Sequence, residues 1–351
     1  MTVGQQRGED VDGLGWAIVG ASWIAEKFVI PAIRATPRSR VVGVFSSLGE
    51  RGQAFAAKTG LDLVWTDLQS VLDDELVEAV FVGTLNHLHR EQVLAAAAAG
   101  KHVLCEKPIA LTVADAIEMK DACERAGVVL ATNHAFRGQT AIQKMRAMIN
   151  TGSIGRPLAA RTFFGATLSG RFATWRLQDP RNGGVLYDLT VHSVDILRFL
   201  LTSNVIEVQA TTDNQGLAAE GIEDIVTGTL RFESGTLSNF QDSYTVNHGL
   251  RSVEVHGTEG SLSGTGVLDV VPAGEVLLVR NGLPEAVKLG PLEGPFIRSI
   301  GDFTKAVRGQ GAPTATADDG IRSLQAAMGA KRSARSGQRV LLNESTGDQE
   351  L

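Results

Sequence analysis

Over its first third the chain alternates between short apolar runs and longer segments of helical spacing. The runs at 14–19, 41–45, 79–82, 103–105 and 128–131 are almost uniformly apolar and read as strands buried within a parallel sheet. Residues 24–36, 51–59, 92–99 and 115–126 have helical spacing, and 67–71 suggests a further helix start. Pro31 is expected to kink the first of these helices, and Gly100 to close the third.

Beyond Asn150 the period changes. Residues 159–167, 224–232 and 236–243 read as strands, with Val226, Gly228, Leu230 and Phe232 on one face and Thr227, Thr229 and Arg231 on the other. Ser234-Gly235 makes the turn between the last two, and further strands are expected around Val253, Val267, Val276 and Val287. Helices are expected at 186–199, 296–307 and 318–335. The succession predicts an α/β Rossmann nucleotide-binding domain over 14–135. An α+β domain with a large, mostly antiparallel open sheet follows over 136–351. Residues 1–13 are polar and read as a disordered N-terminal extension.

Composition narrows the partners. A net charge of -6 with dispersed arginines offers no basic patch, which speaks against nucleic acid. Cys105 and Cys123 have no metal-ligand spacing and form no disulfide framework, as expected in a reducing cytosol. No apolar run approaches the roughly 20 residues that span a bilayer, and the polar start lacks the apolar stretch of a signal peptide. The expectation is a soluble cytoplasmic protein with no metal and no membrane partner.

Candidate chemistry collects at the strand ends, where open α/β sheets bind ligands. Gly20-Ala21-Ser22-Trp23-Ile24-Ala25 joins a strand to a helix start through a tight turn. Backbone N–H groups in such a turn receive a pyrophosphate, with Ser22 and Ala25 standing where glycines are usual. An ordinary strand-to-helix turn is the alternative. The second strand ends at Ser46-Ser47, with Arg51 five residues on, where an NAD-specific fold places an acid. Hydroxyls and a guanidinium suit a 2′-phosphate, so NADP(H) is expected ahead of NAD(H), against the alternative of a polar loop and an exposed arginine. Later strand ends carry Thr84-Leu85-Asn86-His87-Leu88-His89, then Glu106-Lys107-Pro108, then Asn133, His134 and Arg137. In the helix at 186–199, Asp188, His192 and Asp195 share a face. A carboxylate one turn from an imidazole can orient the ring and raise its proton affinity, as a general acid requires. A dipole-serving Asp with a core histidine, or a carboxylate–histidine zinc site, are the other readings.

These residues resemble the Gfo/Idh/MocA oxidoreductases. The likeness rests on Gly20 to Ala25, Asn86 with His89, Ala99 to Pro108, and Gly183 to His192, and it covers nearly the whole chain. It is greatest to a bacterial branch that reduces an anhydro sugar, through Ile18 to Ser22, Arg51-Gly52, Thr132-Asn133-His134, Trp175-Arg176-Leu177 and Val255 to Gly260. The resemblance implies hydride transfer between a nicotinamide and a sugar carbonyl or carbinol carbon. It implies a cofactor site of Gly20, Ala21, Ser22, Trp23, Ile24, Ser46, Ser47, Arg51, Thr84, Leu85, Asn86, His89, Glu106, Lys107, Asn133, Trp175 and Arg176. The substrate would meet Lys107, His134, Arg176, Asp188 and His192. His192 would supply the proton, Lys107 polarise the oxygen, and Asp188 fix substrate hydroxyls or the imidazole. The resemblance further implies C-terminal helices near the nucleotide domain and a homodimer or homotetramer formed through the open sheet. Tyr187, before Asp188, and Phe296 depart from that branch, which bears on which sugar is accepted. An NAD-linked cyclic-polyol dehydrogenase and a non-catalytic nucleotide sensor are the alternative functions.

Overall fold

The computed structural model describes residues 13–342 apart from 167, 169 and 247, so the expected N-terminal extension lies, but for Gly13, outside the described residues. Strands β1 (Leu14–Val19), β2 (Ser39–Phe45), β3 (Val64–Trp65), β4 (Ala79–Val82), β5 (His102–Cys105) and β6 (Leu130–Thr132) form a parallel sheet in the order β3-β2-β1-β4-β5-β6. Every residue of β1 and β4 is buried, because helices cover both faces of the sheet. His89–Ala98, Val113–Arg125 and the C-terminal helix Ala317–Ser336 lie on one face. Gly49–Thr59 and Pro295–Val307 lie on the other. The strand order reverses between β1 and β4, and that is the position where a parallel sheet opens a ligand crevice.

Pro31 does not kink a helix. Ala25–Val29 is a π turn, and an α-helix starts afresh at Ile30–Ala35 with Pro31 in its first turn, where the missing N–H is no loss.

The second sheet has nine strands: β7 (Pro157–Gly165), β8 (Val205–Asp213), β9 (Ile225–Phe232), β10 (Leu237–Ser243), β11 (Ser252–Gly257), β12 (Ser261–Thr265), β13 (Glu275–Arg280), β14 (Leu283–Ala286) and β15 (Val340–Leu341). Their order is β14-β13-β12-β11-β7-β10-β9-β8-β15, and only β7 and β10 pair in parallel. Helices Thr140–Asn150 and Val191–Leu201 and the later part of Ala317–Ser336 cover one face. Arg161, Asn239 and Thr229, in register across β7, β10 and β9, stay exposed on the other. Two strand expectations shift: Val267 is buried in a turn after β12, and Val287 follows β14. Strand β8 escapes the periodicity because a bulge between Val205 and Glu207 breaks its alternation. Among the described residues no helix is long and apolar enough to cross a membrane.

Candidate active site

The crevice begins at the tips of β1 and β4. Gly20 turns there with φ 105°, and a side chain on it would meet Thr84 Cγ2 at 2.8 Å and the Gly83 backbone at 3.0 Å. From beyond β2, Arg51 reaches back to the Ala21 carbonyl at 2.9 Å, so an exposed guanidinium lies beside the turn. Ser46 corrects the sequence reading: it is buried and its hydroxyl donates to the Leu48 carbonyl at 3.0 Å, because the chain folds back directly after the strand. Ser47 is exposed at this tip.

Other expected cofactor residues are also spent on the protein. His89 is fully buried with Nδ1 2.9 Å from the Pro108 carbonyl and Nε2 3.3 Å from the Thr84 carbonyl, and burial pushes its pKa down to about 4. Its ring therefore ties two strand-end loops together and does not face the crevice. Asn86 donates to the Asn182 carbonyl at 3.0 Å, and Thr84 to Gln92 at 2.6 Å. The side chains of these three leave only backbone groups to a nucleotide. Glu106 accepts from Asn133 Nδ2 at 2.7 Å, Asn133 accepts from Ser299 at 3.0 Å, and burial raises the Glu106 carboxyl.

Lys107 faces the segment that carries Asp188 and His192. That segment is a π turn at Leu186–Thr190 running into the α-helix Val191–Leu201, so the spacing expected of a regular helix does not hold. Asp188 does not hydrogen-bond His192. Its Oδ1 accepts from Lys107 Nζ at 2.7 Å, and its Oδ2 accepts from Arg176 Nε at 2.8 Å and from the Tyr244 hydroxyl at 3.1 Å. Lys107 also donates to the Asp188 carbonyl at 2.6 Å. Burial alone would raise the Asp188 carboxyl, but the two cations outweigh it and hold the group far below the usual carboxylate range.

His192 makes no hydrogen bond among the described residues, although its ring is only half-buried. Phe136, His134 and Phe164 surround it with ring centroids at 4.5, 5.9 and 6.0 Å. Burial and the Lys107 charge hold its pKa well below 6.5, against the expectation that a neighbouring carboxylate would raise it. His134, an expected substrate contact, is buried behind it with Nε2 2.9 Å from Ser323 Oγ, and burial takes its pKa down to about 4.

Asp195 turns away to Arg137, which it meets at 2.7 Å. The carboxylate–histidine metal reading fails on this point, since Asp188 and Asp195 serve different cations. Among the described residues no group of three His, Cys, Asp or Glu side chains could hold a metal ion. Tyr187 and Phe296 are both buried and spend their contacts on the protein. The Tyr187 hydroxyl donates to the Leu111 carbonyl at 3.1 Å, and Phe296 stacks on Phe28 at 5.1 Å.

The loop before the π turn closes over the site. The Arg176 guanidinium lies 4.3 Å from the Trp175 ring centroid, and Phe172 meets Trp23 edge-on at 5.0 Å. Gly183 lets the loop pack tightly, as a side chain there would approach the Arg176 carbonyl to 2.5 Å. Sequence reasoning missed Asn182 and Tyr244. Asn182 is fully buried and receives Asn86 and the His87 N–H; Tyr244 is one of two tyrosines in the chain, and nothing in its local pattern points inward.

Residues 14–134 match an oxidoreductase family with an NAD-binding Rossmann fold, and residues 142–263 match the GFO/IDH/MocA C-terminal domain. The chain is 44% identical over 325 residues to the 1,5-anhydro-D-fructose reductase of Ensifer adhaerens, covering 92% of this chain and 97% of that one. It is 26% identical over 307 residues to the myo-inositol 2-dehydrogenase of Thermotoga maritima, covering 85% and 90%. The solved aldose-aldose oxidoreductase from Caulobacter crescentus, complexed with glycerol, matches with a TM-score of 0.86 at 27% identity, covering 94% of this chain and 100% of that one.

Proposed function

The chain belongs to the Gfo/Idh/MocA oxidoreductase family, and from that premise we propose that it interconverts a carbonyl and a carbinol on a sugar or sugar derivative, as a 1,5-anhydrofructose reductase does. One observation carries the reading: Lys107, at the end of β5, is held by the buried Asp188 carboxylate and lies close enough to the unpartnered His192 for its charge to act on the imidazole. The Gly20 turn, with no space for a side chain, suits a pyrophosphate, and Arg51 beside it suits the adenosine end. When bound, the nicotinamide supplies or takes up the hydride. Lys107 commits two of its three N–H donors to Asp188, and the third polarises the substrate oxygen. His192, neutral at neutral pH, takes the hydroxyl proton when the carbinol is oxidised and returns it from the imidazolium when the carbonyl is reduced. Reduction therefore speeds up as pH falls, and oxidation does not.

The choice of NADP(H) is supported by Arg51 and by the absence of a carboxylate at Ser46-Ser47. The inward turn of Ser46 removes one expected donor to a 2′-phosphate, and it favours the second reading, an NAD-linked cyclic-polyol dehydrogenase. The open face of the second sheet supports association into dimers or tetramers, to be measured by light scattering. Two free, buried cysteines agree with a cytoplasmic location. A panel of sugars, anhydro sugars and polyols with NADPH, NADH, NADP and NAD, followed by absorbance of the reduced nicotinamide, tests the whole reading. Turnover of an anhydroketose with NADPH is expected. Turnover confined to inositols with NAD would replace it with the second reading, and nucleotide binding without turnover of any substrate would leave a sensor.

A further inference from the structure

We infer that Tyr244 is a positioning residue for this reaction, acting on Lys107 through the Asp188 carboxylate; the inference rests on the role of Lys107 just proposed. Tyr244 follows β10 and is 1% exposed. Its hydroxyl oxygen lies 3.1 Å from Asp188 Oδ2 and 3.1 Å from the Gly184 carbonyl. It has one proton for two acceptors, and the ionised carboxylate is the stronger of them. With the phenol counted, Asp188 holds three side-chain donors, Lys107 on Oδ1 and Arg176 and Tyr244 on Oδ2. A planar carboxylate held at both oxygens cannot rotate without breaking one of these bonds. Two of the three donors sit on chains that can move: a long lysine stem and a loop arginine. Tyr244 anchors the third point to the sheet.

A purely structural role is the competing account, because the same hydroxyl bonds Gly184 at the start of the π turn. A double-mutant cycle separates the two. Tyr244→Phe keeps the ring and its packing. It should slow turnover about tenfold, the loss of one hydrogen bond to a charged group, with KM and nucleotide affinity little changed. In an Asp188→Asn background the same substitution should add less than about twofold. A defect of the π turn would persist in that background, so equal slowing in both backgrounds overturns the inference, as does wild-type turnover in Tyr244→Phe. Thermal unfolding gives a second readout. Tyr244→Phe should unfold near the parent temperature, and a lowered Tm with equal slowing in both backgrounds would mark a structural residue. Wild-type turnover in Lys107→Ala would instead remove the reading on which the inference stands.

Discussion

Two clusters of buried charge lie on one helical segment, at Asp188 and at Asp195, and they are built to opposite ends. At Asp195 the seam between the sheets is closed. All three guanidinium nitrogens of Arg137 are engaged, by Asp195, by Asp319 and by the Thr314 carbonyl, and Arg198 adds a second cation on Asp319. The side chains of Arg137 and Asp195 are 6% and 1% exposed. At Asp188 the carboxylate is saturated but its partners are not. Lys107 retains one donor, and among the described residues Arg176 uses only Nε in a hydrogen bond. Those side chains are 13% and 21% exposed. Burial of charge is common to both clusters. Unspent hydrogen-bonding capacity on partly exposed side chains belongs to one, and that is the arrangement expected of chemistry rather than of architecture.

Substitutions in the two clusters are expected to fail in different ways. Lys107→Ala and His192→Ala should each lower turnover by about two to four orders of magnitude while thermal unfolding stays near that of the parent. A His192→Ala protein with full turnover would move the proton donor elsewhere. Arg137→Ala should do the reverse, lowering stability by about 3 to 5 kcal/mol because it strands buried carboxylates. Denaturant unfolding measures this, and an unchanged midpoint with lost turnover would merge the two clusters. Arg51, an exposed cation with a single carbonyl partner, belongs to neither cluster. Its replacement by Ala should weaken NADPH by about ten- to hundredfold and leave NADH nearly unchanged, read by quenching of protein fluorescence. Equal affinity for both nucleotides in the parent protein would end the argument for a 2′-phosphate site.

An effect confined to one pH window is expected at Asp242, a buried acid with no cation beside it among the described residues. Ser193 donates to its Oδ1 at 2.6 Å, and burial pushes its pKa up to about 7. The unfolded chain loses this proton near the ordinary carboxylate value of 3.8, so between about pH 4 and pH 7 the folded state binds the extra proton. Stability then falls as pH rises through that window, by about 1.4 kcal/mol per unit. Asp242→Asn should flatten that slope, and a slope that survives the substitution would refute the assignment.

The sequence carried the nucleotide domain well because a parallel sheet buried on both faces writes itself as uniform apolar runs, as at Leu14–Val19 and Ala79–Val82. It pointed to Lys107 and Asp188, which the fold pairs at 2.7 Å, because each sits beside a strong local signal, Pro108 in one case and an apolar helix in the other. It misjudged Ser46, His89 and His134 because residue type reveals hydrogen-bonding capacity but not direction. All three spend that capacity inward. Tyr244 was invisible for a related reason: it reaches Asp188 across 56 positions, and only the pairing of β10 with β7 and β9 brings it there.

Two of the helices that cover the first sheet come from the far end of the chain. Pro295–Val307 joins Gly49–Thr59 on one face, and Ala317–Ser336 joins His89–Ala98 and Val113–Arg125 on the other while also lending Ala326 and Ala330 to the core of the second sheet. During synthesis the amino-terminal strands therefore emerge long before the last segments that shield them. A ribosome-bound chain ending before residue 295 leaves both sheet faces only partly covered, with Trp16 lacking Phe303, which it meets at 4.9 Å in the complete fold. A gene truncated by its last thirty-five or so codons would leave one face short of a helix, although all six strands of the first sheet would still be encoded.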